Sequence, residues 1–260
     1  MKLSQSLLVI LLAACSAPLS IPTPSPTSSP TLSATVTTQS SSTPSVTPSV
    51  TPIPASAVCS PLKDHALTDL PKYQTQAFIP PMGENKETGH HGVDFAYYRR
   101  DGVGDHIEGT PIQSMLNGTM AGLGFNLVYG NYLIIETPAE WLPADLAALY
   151  PIEGGQSLYL LYAHMQELAP FEIRESLDCG QVIGLVGDSG STYFVSDSHL
   201  HLETRLGQAG TFIEPMAYYD TQASEEEKTE YLFWRTSDFF MLFDPWLLLE
   251  YGADQEQISG

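Results

Sequence analysis

Basic residues are scarce in this 260-residue chain: 10 Lys and Arg stand against 30 Asp and Glu, a net charge of −20. Binding to nucleic-acid phosphates needs a basic surface, so this balance argues against a nucleic-acid partner. It equally argues against peripheral attachment through attraction to anionic lipid. Long apolar runs are absent as well. The N-terminal run at 7–12 is far short of the roughly 20 residues a spanning helix needs. Cysteine is limited to Cys15, Cys59 and Cys179. Charge is missing altogether from 16 to 62, and no fixed-period repeat follows it.

That uncharged stretch is dominated by Pro, Ser and Thr, as in "IPTPSPTSSPTLSATVTTQSSSTPSVTPSVTPIPAS". It cannot bury enough apolar surface to offset its ordering entropy, so it is expected to be a disordered, extended stalk. Ahead of it, "MKLSQSLLVILLAAC" carries one Lys, a short apolar run and small residues before a Cys, the pattern of an export signal. Leu12-Ala13-Ala14-Cys15 resembles the bacterial lipobox, in which the signal is cut before the Cys and the Cys is lipidated. The expected organisation is a signal at 1–14, a stalk at 15–58, a folded domain at 59–250 and a tail at 251–260. With Cys15 assigned to lipid, Cys59 and Cys179 remain in a compartment that permits a disulfide; two independent thiols are the alternative.

Within the folded part, short apolar or alternating runs are separated by Gly, Pro and Asn. Strands are predicted over 93–97, 111–116, 118–125, 132–136, 157–164, 182–186 and 199–205. Many short strands with few helical windows imply an all-β, antiparallel domain. Two peripheral helices are expected, one over 142–149. The other follows "SEEEK", where Ser224 can cap and Glu227 sits three residues on.

"SDSHLHLETR" at 196–205 places two histidines one residue apart. Side chains alternate across a strand, so His199, His201 and Glu203 share one face while Leu200 and Leu202 take the other. A solvated strand face explains this as readily as a metal or catalytic site. "GHHGVDF" offers His90 and Asp94, four apart and therefore on one side of an extended segment, with His91 directed to the opposite side. His164 ends the apolar run "SLYLLYAHM", where a histidine bonded to backbone is the plainer account. Imidazole and carboxylate are good zinc ligands, and a catalytic zinc site uses three protein ligands, so these histidines exceed the requirement.

In this order the motifs resemble those of the lysostaphin-like (LytM-type) zinc endopeptidases that cut peptidoglycan cross-links. That family's pattern is H-x-x-x-D, then Y-x-H, then H-x-H. It corresponds to His90–Asp94, "YAH" ending at His164, and "HLH" at 199–201. "EGTPI", "NGTM", "YGNYLII" and "GQVIGLVGDSGST" resemble its connecting segments, so the likeness covers about residues 75–206. The resemblance implies a lysostaphin-like barrel-sandwich or duplicated-hybrid sheet, with Zn2+ held by His90, Asp94 and His201. It implies His164 and His199 as non-ligand catalytic residues. The protein would be a metalloendopeptidase acting on peptidoglycan stem or cross-bridge peptides from a lipid anchor at Cys15, on the outer face of the cell membrane. The alternative is a non-catalytic module that activates or scaffolds partner cell-wall hydrolases.

Four segments depart from the family pattern. The approach to His199 is about four residues longer, "YYRRDGVGDHIEGTP" is expanded and carries His106, "ETPAEWLPADLAALYPIEGG" replaces a tight hairpin, and some 35 residues separate Arg205 from "FDPWLLL".

Overall fold

The computed structural model describes residues 58–96, 98–100, 103–190 and 197–259. Cys15, the signal, nearly all of the stalk and most of the loop before His199 lie outside the described residues.

The strands run in chain order as β1 (Gln74–Gln76), β2 (Gly92–Phe95), β3 (Tyr98–Arg100), β4 (Val103–Asp105), β5 (Pro111–Gln113) and β6 (Gly118–Asn126). They continue as β7 (Gly130–Pro138), β8 (Gln156–Met165), β9 (Ser176–Leu177), β10 (Val182–Leu185), β11 (Leu200–Gln208) and β12 (Met241–Phe243). The main sheet has the order β1-β2-β11-β8-β7-β6-β9, with β12 pairing onto β11; β5–β10 and β3–β4 form two small ribbons. All named pairings are antiparallel, and the fold is the all-β architecture expected.

β8 and β11 are buried almost end to end because both sheet faces are covered. On one face Leu158, Leu160 and Tyr162 of β8 meet Leu200 and Leu202 of β11 and Leu133 of β7 in the larger core. On the other, Tyr159, Leu161 and Ala163 lie with Tyr132, Ile134, Tyr231, Trp234 and Phe240. Burial on both sides makes "SLYLLYAHM" a nearly unbroken apolar run rather than an alternating one. Each such fully buried aliphatic or aromatic side chain contributes about 1.5–3 kcal/mol.

Three helices are peripheral: α1 (Ala144–Ala147), α2 (Glu225–Thr236) and α3 (Trp246–Ser259). α2 starts with the predicted capping box: Glu227 N donates to Ser224 Oγ (3.1 Å) and Ser224 N donates to a Glu227 carboxylate oxygen (2.7 Å). It presents Tyr231 and Trp234, three apart, to the second core. α1 is shorter than the 142–149 expected, since Pro143 stands at its N-cap and the chain turns before Pro151.

The domain boundary drawn at 250 falls inside α3, so residues 251–259 are helix rather than tail. Gly252 lets α3 approach the N-terminal segment, because a Cβ there would lie 2.7 Å from Leu67 and 2.8 Å from Val58. The start signal of α3 is present in the sequence: Asp244 Oδ1 accepts from Trp246 N (3.0 Å), with Pro245 between them. Neither of the two helices expected from the sequence includes it.

Cys59 and Cys179 are joined, with Cα atoms 5.7 Å apart and 120 residues between them in sequence. Cys59 N donates to Met115 O, and Cys179 N donates to Asn117 Oδ1, so the bridge ties the first residues of the domain to the turn beyond β9. Closing so long a loop restricts the unfolded chain. Cys59→Ala with Cys179→Ala should lower stability by about 2–5 kcal/mol in denaturant titration while leaving the far-UV circular dichroism of the folded state unchanged.

Candidate active site

β2 and β11 lie side by side with His201 opposite Asp94 and Glu203 opposite Gly92. This register is possible because residue 92 is glycine: a Cβ there would lie 2.3 Å from Leu202 O and 2.8 Å from the His201 ring. His90 precedes β2 and is pinned through paired backbone bonds with Ile79, both 2.8 Å. Three donor atoms converge as a result. His201 Nδ1 lies 2.7 Å from Asp94 Oδ1, His90 Nε2 lies 3.1 Å from the same oxygen, and the two ring nitrogens are 3.2 Å apart.

The other ring nitrogens of both histidines face acceptors. His90 Nδ1 donates to Ala77 O (2.9 Å), which leaves the Nε2 lone pair directed at the centre. His201 Nε2 donates to Glu203 Oε1 (3.2 Å), which directs Nδ1 there. A carboxylate behind a ligating histidine fixes its tautomer and raises its basicity. Zinc bonds of about 2.0–2.2 Å in a tetrahedron set ligands roughly 3.4 Å apart, close to this spacing, and an N, N, O donor set suits that ion. The group His90, Asp94 and His201 could therefore hold a metal ion. Burial alone would raise the Asp94 carboxyl, but the His201 and His90 rings against it hold it below the ordinary carboxylate range.

His199 and His164 stand beside this group with ring centroids 4.2 Å apart. His199 Nδ1 donates to Asp197 O (2.8 Å), and its Nε2 lies 4.0 Å from Asp94 Oδ2. His164 Nδ1 donates to Ser189 O (3.0 Å), and its ring centroid is 6.0 Å from that of His201. Burial first, then the neighbouring histidines, lowers the His164 pKa to about 3, and burial likewise lowers His199. Both rings are thus neutral at pH 7, with Nε2 as the basic nitrogen.

His164 does not reach the site by simple alternation. Tyr162 and Leu160 face the larger core, and an unbroken strand would send His164 the same way. The β7–β8 register shifts between Leu133↔Tyr162 and Asn131↔Met165, and His164 adopts φ 61°. Such a conformation costs a non-glycine residue about 1–3 kcal/mol. It is held by His164 N donating to Tyr129 O and Gly187 N donating to His164 O.

His91 departs from expectation. Its ring bonds to Thr88 O and to the Arg205 guanidinium, which is itself bound to Glu203, so it does not lie on the face opposite the site. β2 begins only at Gly92, and alternation does not extend back to residue 91. His91 stays outside the ligand group.

Glu203, noted in the sequence only for its parity with His201, is the centre of the surrounding network. Its Oε1 accepts from Tyr129 OH (2.8 Å) and from His201; its Oε2 accepts from Arg205 Nε (3.0 Å), Arg205 NH2 (2.8 Å) and Trp234 Nε1 (3.1 Å). Burial alone would raise this carboxyl; Arg205 above all, then His201 and Arg235, holds it well below the ordinary range.

Residues 88–215 match the model of peptidase family M23. Among solved structures, the chain is similar to a zinc containing peptidase from Vibrio cholerae, with 21% identity and a TM-score of 0.39 over 58% of this chain. It spans 37% of the length of that structure. It is also similar to the catalytic domain of the antimicrobial peptidase lysostaphin from Staphylococcus simulans: 22% identity, TM-score 0.35, 54% of this chain and 86% of that one. A third likeness is to LytU, at 20% identity and TM-score 0.35, over 54% of this chain and 76% of that one. No curated protein matches the chain.

Glu203→Gln keeps the side chain's shape but removes the charge that two buried arginines face. It should cost about 3–5 kcal/mol in stability. Metal affinity, measured by competition with a chelator, should fall about 10–100-fold although no ligand is altered.

Proposed function

We propose that this chain, whose residues 88–215 match the model of peptidase family M23, is a member of that family and a zinc metalloendopeptidase cutting peptidoglycan stem or cross-bridge peptides. The observation that carries this is the convergence of His90 Nε2, Asp94 Oδ1 and His201 Nδ1 within 3.2 Å of one another, with two further neutral histidines alongside. Zinc bound there would polarise the peptide carbonyl and acidify a water molecule.

The chain's own residues supply the rest. Two imidazoles and one carboxylate leave a bound dication with net positive charge. His164 and His199 each have Nδ1–H committed to a backbone carbonyl, so each presents Nε2 to the cleft. One takes a proton from water as its oxygen adds to the peptide carbon. The imidazolium so formed gives that proton to the amine nitrogen as the C–N bond breaks, and the second ring, with its bare Nε2, helps to hold and orient the water by accepting from it. Surplus histidines with this geometry suit turnover better than metal storage.

We further propose that Cys15 carries lipid and that the 15–58 stalk lets the domain work on the wall away from the outer face of the membrane. The Cys59–Cys179 bridge supports export, since disulfides persist in oxidising compartments.

In the full chain, His164→Ala and His199→Ala should retain near-stoichiometric zinc while hydrolysis of purified peptidoglycan falls about 10²–10⁴-fold. His201→Ala should lose both metal and activity. A zinc-loaded wild type that is inert on every cross-link tested, yet stimulates a partner hydrolase, would assign it to the regulators instead. Cys15→Ser should move the protein from the detergent phase to the aqueous phase; unchanged partitioning would refute the anchor.

A further inference from the structure

The cleft above the His90–Asp94–His201 group has a volume of about 190 Å³ and is also lined by Gln76, Tyr129 and Arg235. Among the described residues that line it, Arg235 alone carries a fixed positive charge. It comes from the last turn of α2, beyond residue 215 where the family match ends. Two bonds seat this turn: Trp234 Nε1 donates to Glu203 Oε2, and Trp234 O accepts from Arg205 NH1 (2.8 Å).

Pairing with Glu203 does not exhaust Arg235. Arg205 already pairs with that carboxylate through two hydrogen bonds, and Tyr129, His201 and Trp234 occupy its remaining acceptor positions. Arg235 NH1 stands farther off, 3.5 Å from Glu203 Oε1, and its hydrogen bond goes to Tyr129 OH (3.2 Å). Its Nε is buried with no hydrogen-bond partner among the described residues. Arg205 is 2% exposed at the side chain and Arg235 is 12% exposed, open to the cleft. The two arginines and Glu203 leave one positive charge over. A metal dication with Asp94 leaves another. The cleft of a chain with net charge −20 is therefore locally cationic.

We propose that Arg235 is a specificity-determining residue that binds a carboxylate of the peptide in the cleft, so that acidic peptides are preferred over neutral ones. The proposal rests on the peptidase function above and adds the substrate class. A guanidinium matches a carboxylate in a planar, two-bond fork, which ammonium or amide groups do not reproduce. The His201 ring and Glu203 Oε1 separate Arg235 from the ligand centre. Its partner is therefore a residue flanking the scissile bond rather than one at the reacting carbonyl.

The test uses two fluorogenic peptides that differ only in a side-chain carboxylate or carboxamide near the scissile bond. The full chain should cleave the acidic peptide at least tenfold more efficiently. Arg235→Met and Arg235→Gln should lower kcat/KM on the acidic peptide about 10–100-fold, mainly through KM. They should leave the amide peptide within about threefold and zinc stoichiometric, and Arg235→Lys should restore part of the preference. Equal loss on both peptides, loss of zinc, or no preference in the wild type would reduce Arg235 to a structural prop and overturn the proposal. Calorimetric binding of both peptides to the metal-stripped chain separates the two inferences. Tighter binding of the acidic peptide that Arg235→Met abolishes upholds the carboxylate site even if neither peptide is cleaved, in which case the peptidase function fails. Cleavage of both without discrimination upholds the peptidase and removes Arg235.

Discussion

A buried carboxylate is costly to desolvate, by several kcal/mol even after relaxation, unless charge and hydrogen bonds compensate it. Glu203 has no exposed side-chain surface, and the elements around the site are arranged to meet that cost. β11 supplies His201 and Arg205, the turn before β7 supplies Tyr129, and α2 supplies Trp234 and Arg235. The same five side chains thereby acquire fixed positions. His201 receives its tautomer, α2 is tied to the sheet, and a second arginine is placed over the cleft. Local stability and site geometry are here one network, so a change at Glu203 reaches the His90–Asp94–His201 group through its direct contact with His201.

The sheet contributes rigidity of another kind. Its central strands are packed on both faces, which leaves little freedom for β11 and β8 to move relative to each other. Onto this frame the fold adds local departures: a glycine where β2 meets β11 and a left-handed residue at His164. Each departure is held by backbone hydrogen bonds or close packing from a neighbouring segment. The strain at His164 is stable because Tyr129 and Gly187 both bind its backbone.

Alternation at period two was sufficient to place His199, His201 and Glu203 together, because those side chains follow the pleat of β11 and its approach; His90, which precedes β2, meets Asp94 through its backbone pairing with Ile79. The capping box of α2 was equally legible, being a contact between residues three apart. The ligand division came from motif order; the structure brings His90, Asp94 and His201 within reach of one another. Alternation failed where the strand was not continuous. His91 precedes β2, and His164 sits at a register shift whose cause lies in β7, some 30 residues away in sequence. α3 carried a readable Asp-Pro start, but its packing on Val58 and Leu67 depends on a chain segment nearly 200 residues earlier.

The sequence by itself determined the all-β class, the faces of the principal strands and the residue types at the candidate metal group, since these follow from local periodicity and side-chain chemistry. Only the tertiary structure decided which way His164 turns, that Cys59 meets Cys179, and that Glu203 gathers two arginines around one histidine. It alone brought Arg235 to the cleft. The physical reason is common to all four: each depends on an approach between segments distant in the chain, and the burial and hydrogen bonding that stabilise such an approach arise only once the chain is packed.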